Sequence, residues 1–254
     1  MAITNPLPAA FIESQVKLAL LEDIGQQDLT AELIPADAEA HATLITRQQA
    51  TLCGRDWFNS VFAQLHPQIQ INWLAADGDR LAADKIICEL SGPARAILTG
   101  ERTAMNFLQT LSATATVAQQ YADTVAGLPV KVLDTRKTLP GWRMAQKYAV
   151  RCGGCFNHRF GLFDGILIKE NHINAAGSIA QAVTQAKQLH PEMAVEVEVE
   201  NLDELQQALL AHADIVLLDN FDIDLLRQAV AMNQGRAQLE ASGGILLDNI
   251  RQIA

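Results

Sequence analysis

The residues of this chain best suited to chemistry lie between Asp134-Thr135-Arg136-Lys137-Thr138 and Lys169-Glu170-Asn171-His172. Residues 131–172 hold Lys131, Arg136, Lys137, Arg143, Lys147, Arg151, Arg159 and Lys169, eight of the 19 Lys and Arg, against the acids Asp134, Asp164 and Glu170. The whole chain is acidic, with a formal net charge of −10. A basic island in an acidic chain implies a small, multiply anionic ligand. Arg136-Lys137 follows an apolar run, and His158-Arg159 follows Gly153-Gly154; βα units place ligand-binding loops at such points. The candidate cations are Arg102, Arg136, Lys137, His158, Arg159 and Lys169, and the candidate carboxylates are Glu198 and Asp219. Cations beside carboxylates in one mouth suit a ligand with carboxylate or phosphate groups, together with Mg²⁺ or ribose hydroxyls. Ser242-Gly243-Gly244, after a strand-like run, can present backbone N–H groups to a phosphate.

Each residue also has a plainer explanation. Arg136-Lys137 can be a solvated loop pair, His158 a satisfied core histidine and Asp219-Asn220 a helix cap. His172 can serve only to orient a loop, and no role is read for Trp142 or Arg143. Glu196, Glu198 and Glu200 share one strand face by period-two alternation. Carboxylates so placed repel unless a cation joins them, which favours function. Cys152-Gly-Gly-Cys155 has C-x-x-C spacing but no second ligand pair, so two small residues beside a Gly-Gly turn are expected. A zinc or redox role for Cys152 and Cys155 is the alternative, and it predicts bound metal.

The positioning elements can be read from periodicity. Residues 11–23 form an amphipathic helix ending at Ile24-Gly25, and 40–47, 68–74 and 86–90 are strands. A long helix is predicted over about Gly100–Val125, with Ala104, Phe107, Leu108, Leu111, Ala115 and Ala118 on one face, stopped by Gly127-Leu128-Pro129. Beyond 130 the pattern alternates. Strands are expected at 130–133, 165–168, 194–199, 214–218 and 237–241, with helices at 178–189, 202–211 and 224–233. Polar residues follow each strand, as at the strand C-termini of a parallel barrel. Five strands make the barrel incomplete. The fold class is therefore α/β: an incomplete parallel (β/α) barrel over 100–254, preceded by a smaller α+β domain over 1–99.

At 254 residues, with 49% hydrophobic, the chain can bury a substantial core. No apolar run approaches the ~18 residues that span a bilayer. Met1-Ala2-Ile3-Thr4-Asn5-Pro6 lacks a charged region followed by a long apolar one, so no secretory signal is expected and a cytoplasmic protein is. The acidic balance argues against nucleic acid as a partner.

The chain resembles the quinolinate phosphoribosyltransferase family over almost its whole length. The matching residues begin with Glu22-Asp23-Ile24-Gly25, Asp28-Leu29-Thr30 and Gly100-Glu101-Arg102-Thr103-Ala104-Met105-Asn106-Phe107. They continue through Leu133–Gly141, Gly153-Gly154 with Asn157-His158-Arg159, and Ile168–His172. Glu196–Glu200, Leu218-Asp219-Asn220 and Ser242-Gly243-Gly244 complete the set. D-T-R-K-T and N-H-R in that order are specific together.

The resemblance implies that quinolinate and phosphoribosyl pyrophosphate give nicotinate mononucleotide, pyrophosphate and CO₂, with Mg²⁺. It implies a homodimer in which Arg102 reaches the neighbour's site. Arg136, His158, Arg159 and Lys169 are expected around quinolinate and Lys137 near the phosphates. Glu198 and Asp219 are expected at the ribose hydroxyls and the metal, which the substrate can mediate, with Lys137, Glu198 and Asp219 as the catalytic set. Ser242 and Gly243 are expected at the 5′-phosphate. The alternatives are a related phosphoribosyltransferase for another aromatic acid, and a truncated, non-catalytic ligand-binding dimer. Cys155-Phe156 stands where the family has a third Gly and a small residue, which predicts a crowded turn. The family also continues past the segment matching 248–254 with a further strand, helix and phosphate loop. Their loss predicts a reduced phosphoribosyl pyrophosphate affinity.

Overall fold

In a computed structural model, residues 5–254 are described; Met1–Thr4, most of the Met1–Pro6 segment read as lacking a secretory signal, lie outside them. Two compact units emerge: residues up to Ala126 with Lys131–His158, and Gly127–Val130 with Arg159–Ala254. The expected change of pattern at 99/100 falls inside the first unit, which keeps the long helix and the D-T-R-K-T segment.

The first unit begins with α1 (Ala9–Ile24), then β1 (Glu39–Ile45), β2 (Ala50–Thr51), α2 (Arg55–Leu65), β3 (Gln70–Trp73), β4 (Arg80–Leu81) and β5 (Ile86–Pro93). β5 is the centre of an antiparallel sheet ordered β1-β5-β3, while β2 pairs with β4. The 31-residue α3 (Ala94–Thr124) and then α4 (Arg143–Cys152) complete the unit. Spacing placed the start of α3 six residues late, because Gly100, a poor helix former, reads as a boundary, whereas the helix begins directly after Pro93. Apolar residues at helical spacing build the core: Val16 from α1, Trp57 and Val61 from α2, Phe107 and Leu111 from α3, and Ala145 and Tyr148 from α4. Gly153 lets α4 end against α3, since a Cβ there would meet Ala118 Cβ and the Gln119 nitrogen. The cores of both units are buried on this scale because apolar area removed from water is the main driving force.

In the second unit, β6 (Ile166–Ile168), β7 (Val195–Val199), β8 (Ile215–Asp219) and β9 (Gln238–Ser242) form one parallel sheet in sequence order. The intervening helices are α5 (Glu170–Ala176), α6 (Ile179–Leu189), α7 (Leu202–Leu210) and α8 (Ile223–Asn233), and a short α9 (Ile250–Ile253) ends the chain. Ser178, Asn201 and Asp222 cap α6, α7 and α8 by accepting from backbone N–H groups. Val195, Val197, Val199, Val216 and Leu218 bury one sheet face under Val183, Leu205 and Ala208 of the helices. This is the incomplete α/β barrel, with one correction. Residues 130–133 form no strand; only Leu133 makes an isolated parallel bridge, to Phe156. Pro129 and the polar Lys131 leave too short an apolar stretch to extend a ladder. Among the described residues no helix is long and apolar enough to cross a membrane.

The C-x-x-C pair divides. Cys155 is buried, and its thiol bonds the Ala118 carbonyl at 3.1 Å. Cys152 instead lies with Cys53 and Asp77, their ligand atoms within 4.8 Å of one another. Burial and the adjoining Cys152 push the Cys53 thiol well up, so it stays protonated. Phe156 carries Lys131 at 5.4 Å and Arg151 at 4.9 Å against its ring. The expected crowding is therefore relieved: Cys155 docks on α3 while Phe156 stays at the surface.

Candidate active site

In the first unit, α4 pins the D-T-R-K-T segment residue by residue. Lys147, 1% exposed, is ion-paired with Asp134 Oδ1 and donates to the His158 carbonyl at 2.9 Å. One turn earlier, Arg143 donates to Thr138 Oγ1 at 3.3 Å and to the Arg136 carbonyl at 3.4 Å. Gln146 Oε1 accepts from Leu139 N–H at 2.8 Å. Asp134 also accepts from Asn157 Nδ2 at 2.6 Å and from His158 N–H at 3.0 Å. One carboxylate thus ties the segment carrying Arg136 and Lys137 to the backbone of His158. Lys137 is exposed, its N–H turned onto Thr135 Oγ1 at 3.1 Å. Arg136 is half-buried, and its buried Nε has no acceptor among the described residues. A buried unsatisfied donor is costly, so this guanidinium is ready for an anion.

Arg102 stands elsewhere in the same unit, exposed on α3 in a cleft of about 320 Å³ lined by Asp23, Asp28, Leu29, Leu98 and Thr99. Thr103 Oγ1 donates to Asp23 at 3.1 Å and Thr99 Oγ1 to Asp28 at 2.8 Å. Hydrogen bonds from Ala31 N–H and from Thr99 hold the Asp28 carboxyl below the usual range. The Glu22–Thr30 motif is thus the support for the helix face that carries Arg102.

The second unit carries Arg159, Lys169, Glu198, Asp219, Ser242 and Gly243. Lys169 is ion-paired with Glu198, and its N–H donates to His172 Nδ1 at 3.0 Å. His172 therefore orients the strand end, as the plainer explanation held. β7 puts Glu196 and Glu198 on the face opposite its valines, and Asp219 follows on the same side of β8. The Glu196 and Glu240 carboxylates lie within 4.8 Å of each other on that face. Asp219 accepts from Ser242 Oγ at 2.6 Å and from Asn220 Nδ2 at 2.8 Å. It caps no helix, because Asp222 does so for α8. Gly243 has φ +87, and a Cβ there would overlap the Asn220 side chain, so only glycine fits this turn. Arg159 donates to the Gly165 carbonyl at 3.1 Å, across a loop closed by Asp164 accepting from Phe160 and Gly161.

The structure thus joins Arg136 and Lys137 to the His158 backbone in one unit, and Lys169–Glu198 and Asp219–Ser242 in the other. Sequence reasoning named Lys147, Arg143, Asp134 and Asn157 but gave them no role. The available signal was Arg143 and Lys147 at i,i+4, with Lys147 next to the apolar Tyr148-Ala149-Val150.

Parallel strands ending in carboxylates beside a glycine turn, alternating with helices, define an α/β protein. The model of the quinolinate phosphoribosyl transferase N-terminal domain matches residues 28–112, and that of its C-terminal domain matches 114–254. A probable nicotinate-nucleotide pyrophosphorylase [carboxylating] of Bacillus subtilis is 41% identical over 91% of this chain and 80% of its own. The solved nicotinate-nucleotide pyrophosphorylase of Francisella tularensis is 51% identical with a TM-score of 0.96, covering 98% of this chain and 89% of that one. The NadC structure from Streptococcus pyogenes gives 37% and 0.94 over the same shares. The chain belongs to the quinolinate phosphoribosyltransferase family.

Proposed function

We propose that this protein transfers the phosphoribosyl group of phosphoribosyl pyrophosphate to the ring nitrogen of quinolinate, with loss of CO₂ and pyrophosphate, giving nicotinate mononucleotide. The observation that carries this is the buried Arg136 Nε, without an acceptor among the described residues. A planar guanidinium matches a carboxylate, and quinolinate offers two. Arg136, His158, Arg159 and Lys169 hold that diacid, and Lys137 meets the phosphates. Ser242 and Gly243 receive the 5′-phosphate on the left-handed turn. Pyrophosphate departure leaves an oxocarbenium-like ribosyl cation, and Glu198 and Asp219 stabilise it electrostatically and orient the ribose hydroxyls. The glycosylated ring nitrogen is then cationic and stabilises the electron pair left on the adjacent ring carbon when its carboxylate leaves as CO₂, and that carbon takes up a proton from water.

Glu198 and Asp219 would also hold Mg²⁺, through substrate oxygens or water. They fit: both are hard oxygen donors; Asp219 accepts from the neutral Ser242 and Asn220, and Glu198 is ion-paired with Lys169, which an arriving anion would share. Bound Mg²⁺ screens the charge of the leaving pyrophosphate. We further place Arg102 in the partner's site of a homodimer; its exposure and the apolar Leu29 and Leu98 beside it support an interface there. The four unpaired cysteines suit a reducing, cytoplasmic setting.

The test is an assay with quinolinate, phosphoribosyl pyrophosphate and Mg²⁺, following nicotinate mononucleotide and CO₂. Turnover with quinolinate and roughly 100-fold less with nicotinate is expected, since a site built for two carboxylates leaves charge unpaired around one. Arg136→Ala should raise the quinolinate KM by at least about tenfold, the effect of losing one charged hydrogen bond. Equal use of nicotinate, or an unchanged KM, would defeat the assignment.

A further inference from the structure

We infer that Lys147 and Asp134 are positioning residues for the diacid end of the site, an assignment that rests on the function proposed above. A lysine is almost never buried unless its charge is paired. Here the whole side chain is 1% exposed and reaches one carboxylate and one backbone carbonyl.

The partners of that carboxylate decide what the pair is for. Asp134 stands two residues before Arg136, and Lys147 one helical turn after Arg143, which holds the Arg136 carbonyl. Asp134 further takes the amide of Asn157 and the N–H of His158, while Lys147 takes the His158 carbonyl and Asn157 Nδ2 donates to the Lys147 carbonyl at 2.9 Å. The two segments meet otherwise through Asp134 N–H to Phe156 at 3.1 Å, Phe156 N–H to Val132 at 2.9 Å and the Leu133–Phe156 bridge. A ladder that short cannot fix two loops by itself. The ion pair substitutes for the missing strand and sets the distance between Arg136 and His158 before any ligand arrives. Ordering them in advance removes that entropy from binding, so the effect should fall on quinolinate affinity more than on the chemical step.

The test replaces both charges at once, in Lys147→Met/Asp134→Leu. Removing one partner alone strands a buried charge, whereas replacing both with apolar groups tends to preserve folding. The double variant is expected to melt cooperatively, with its quinolinate Kd raised at least tenfold and its phosphoribosyl pyrophosphate Kd within threefold of wild type. A cooperative melt with a quinolinate Kd within threefold of wild type would reduce the pair to a structural role and overturn the inference. So would equal losses for both substrates. Should the double variant fail to fold, Lys147→Gln/Asp134→Asn decides the matter: it removes both charges while keeping hydrogen-bonding side chains and should raise the quinolinate KM at least threefold at near-constant kcat. An unchanged KM there would overturn the inference. Arg136→Ala, run in parallel, keeps the two failures apart. If it leaves quinolinate binding intact, the functional assignment itself has failed.

Discussion

Asp77 is 7% exposed, accepting from Tyr148 Oη at 2.9 Å and from Arg55 N–H at 3.3 Å beside the Cys53 thiol. Burial raises its pKa, outweighing those hydrogen bonds. The native state then holds this proton more tightly than the unfolded chain. Stability from this group is greatest in acid and falls as pH rises from about 4 through the folded pKa. Asp77→Asn keeps the shape and removes the titration. Its thermal midpoint should gain on wild type as pH is raised from about 4 toward 7. A difference that stays constant over that series would show that Asp77 does not titrate there. Cys88 shares the same cause, burial pushing its thiol up to about 12, so it is a poor nucleophile at neutral pH.

Turns and helix faces convert such residues into a site, and they differ in how far sequence reveals them. Gly243→Ala should bend the turn after β9 away from Asn220, raising the phosphoribosyl pyrophosphate KM by about tenfold while quinolinate binding holds. Equal losses for both substrates would indicate general unfolding. The strands β7, β8 and β9 were legible because Val-Glu-Val-Glu-Val and its neighbours show their period, and α6, α7 and α8 because apolar residues recur along them at helical spacing; the caps Ser178, Asn201 and Asp222 emerge only in the structure. The charged ends of those strands were legible with them. α4 was not, because its apolar face is made of Ala145, Tyr148, Ala149 and Cys152, interrupted by a lysine that turns out to be buried. Nor was the loss of a strand at 130–133, where Val130, Val132 and Leu133 suggest one but the apolar stretch is too short and the ladder reduces to one bridge. Periodicity reports which side of an element is covered; it is silent on which charged residue finds a buried partner far along the chain.

The whole molecule is acidic, yet eight of its 19 Lys and Arg fall within residues 131–172. Such a charge distribution draws small anions toward that interval and weakens as salt screens it. Two separate apolar cores, one around Trp57 and Leu111 and the other around Val197 and Leu205, give each unit its own reason to fold. The homodimer proposal is tested at this scale. Arg102→Ala and Lys169→Ala proteins, each inactive alone, should regain about a quarter of wild-type activity when subunits exchange at equal amounts, because only half of the dimers are mixed and each then holds one intact site. Absence of recovery despite proven exchange would place Arg102 in its own subunit's site.

β7 sets three buried valines against Glu196 and Glu198 on the opposite face. A slip of one residue during strand pairing would turn those glutamates into the apolar layer under α6 and α7. Ionised carboxylates make that arrangement far too costly to persist. The groups proposed to serve catalysis thus also guard the assembly of the sheet, and replacing both with valine would leave five consecutive β-branched residues. Such a chain has lost its protection against mispairing and aggregation before any substrate is offered to it.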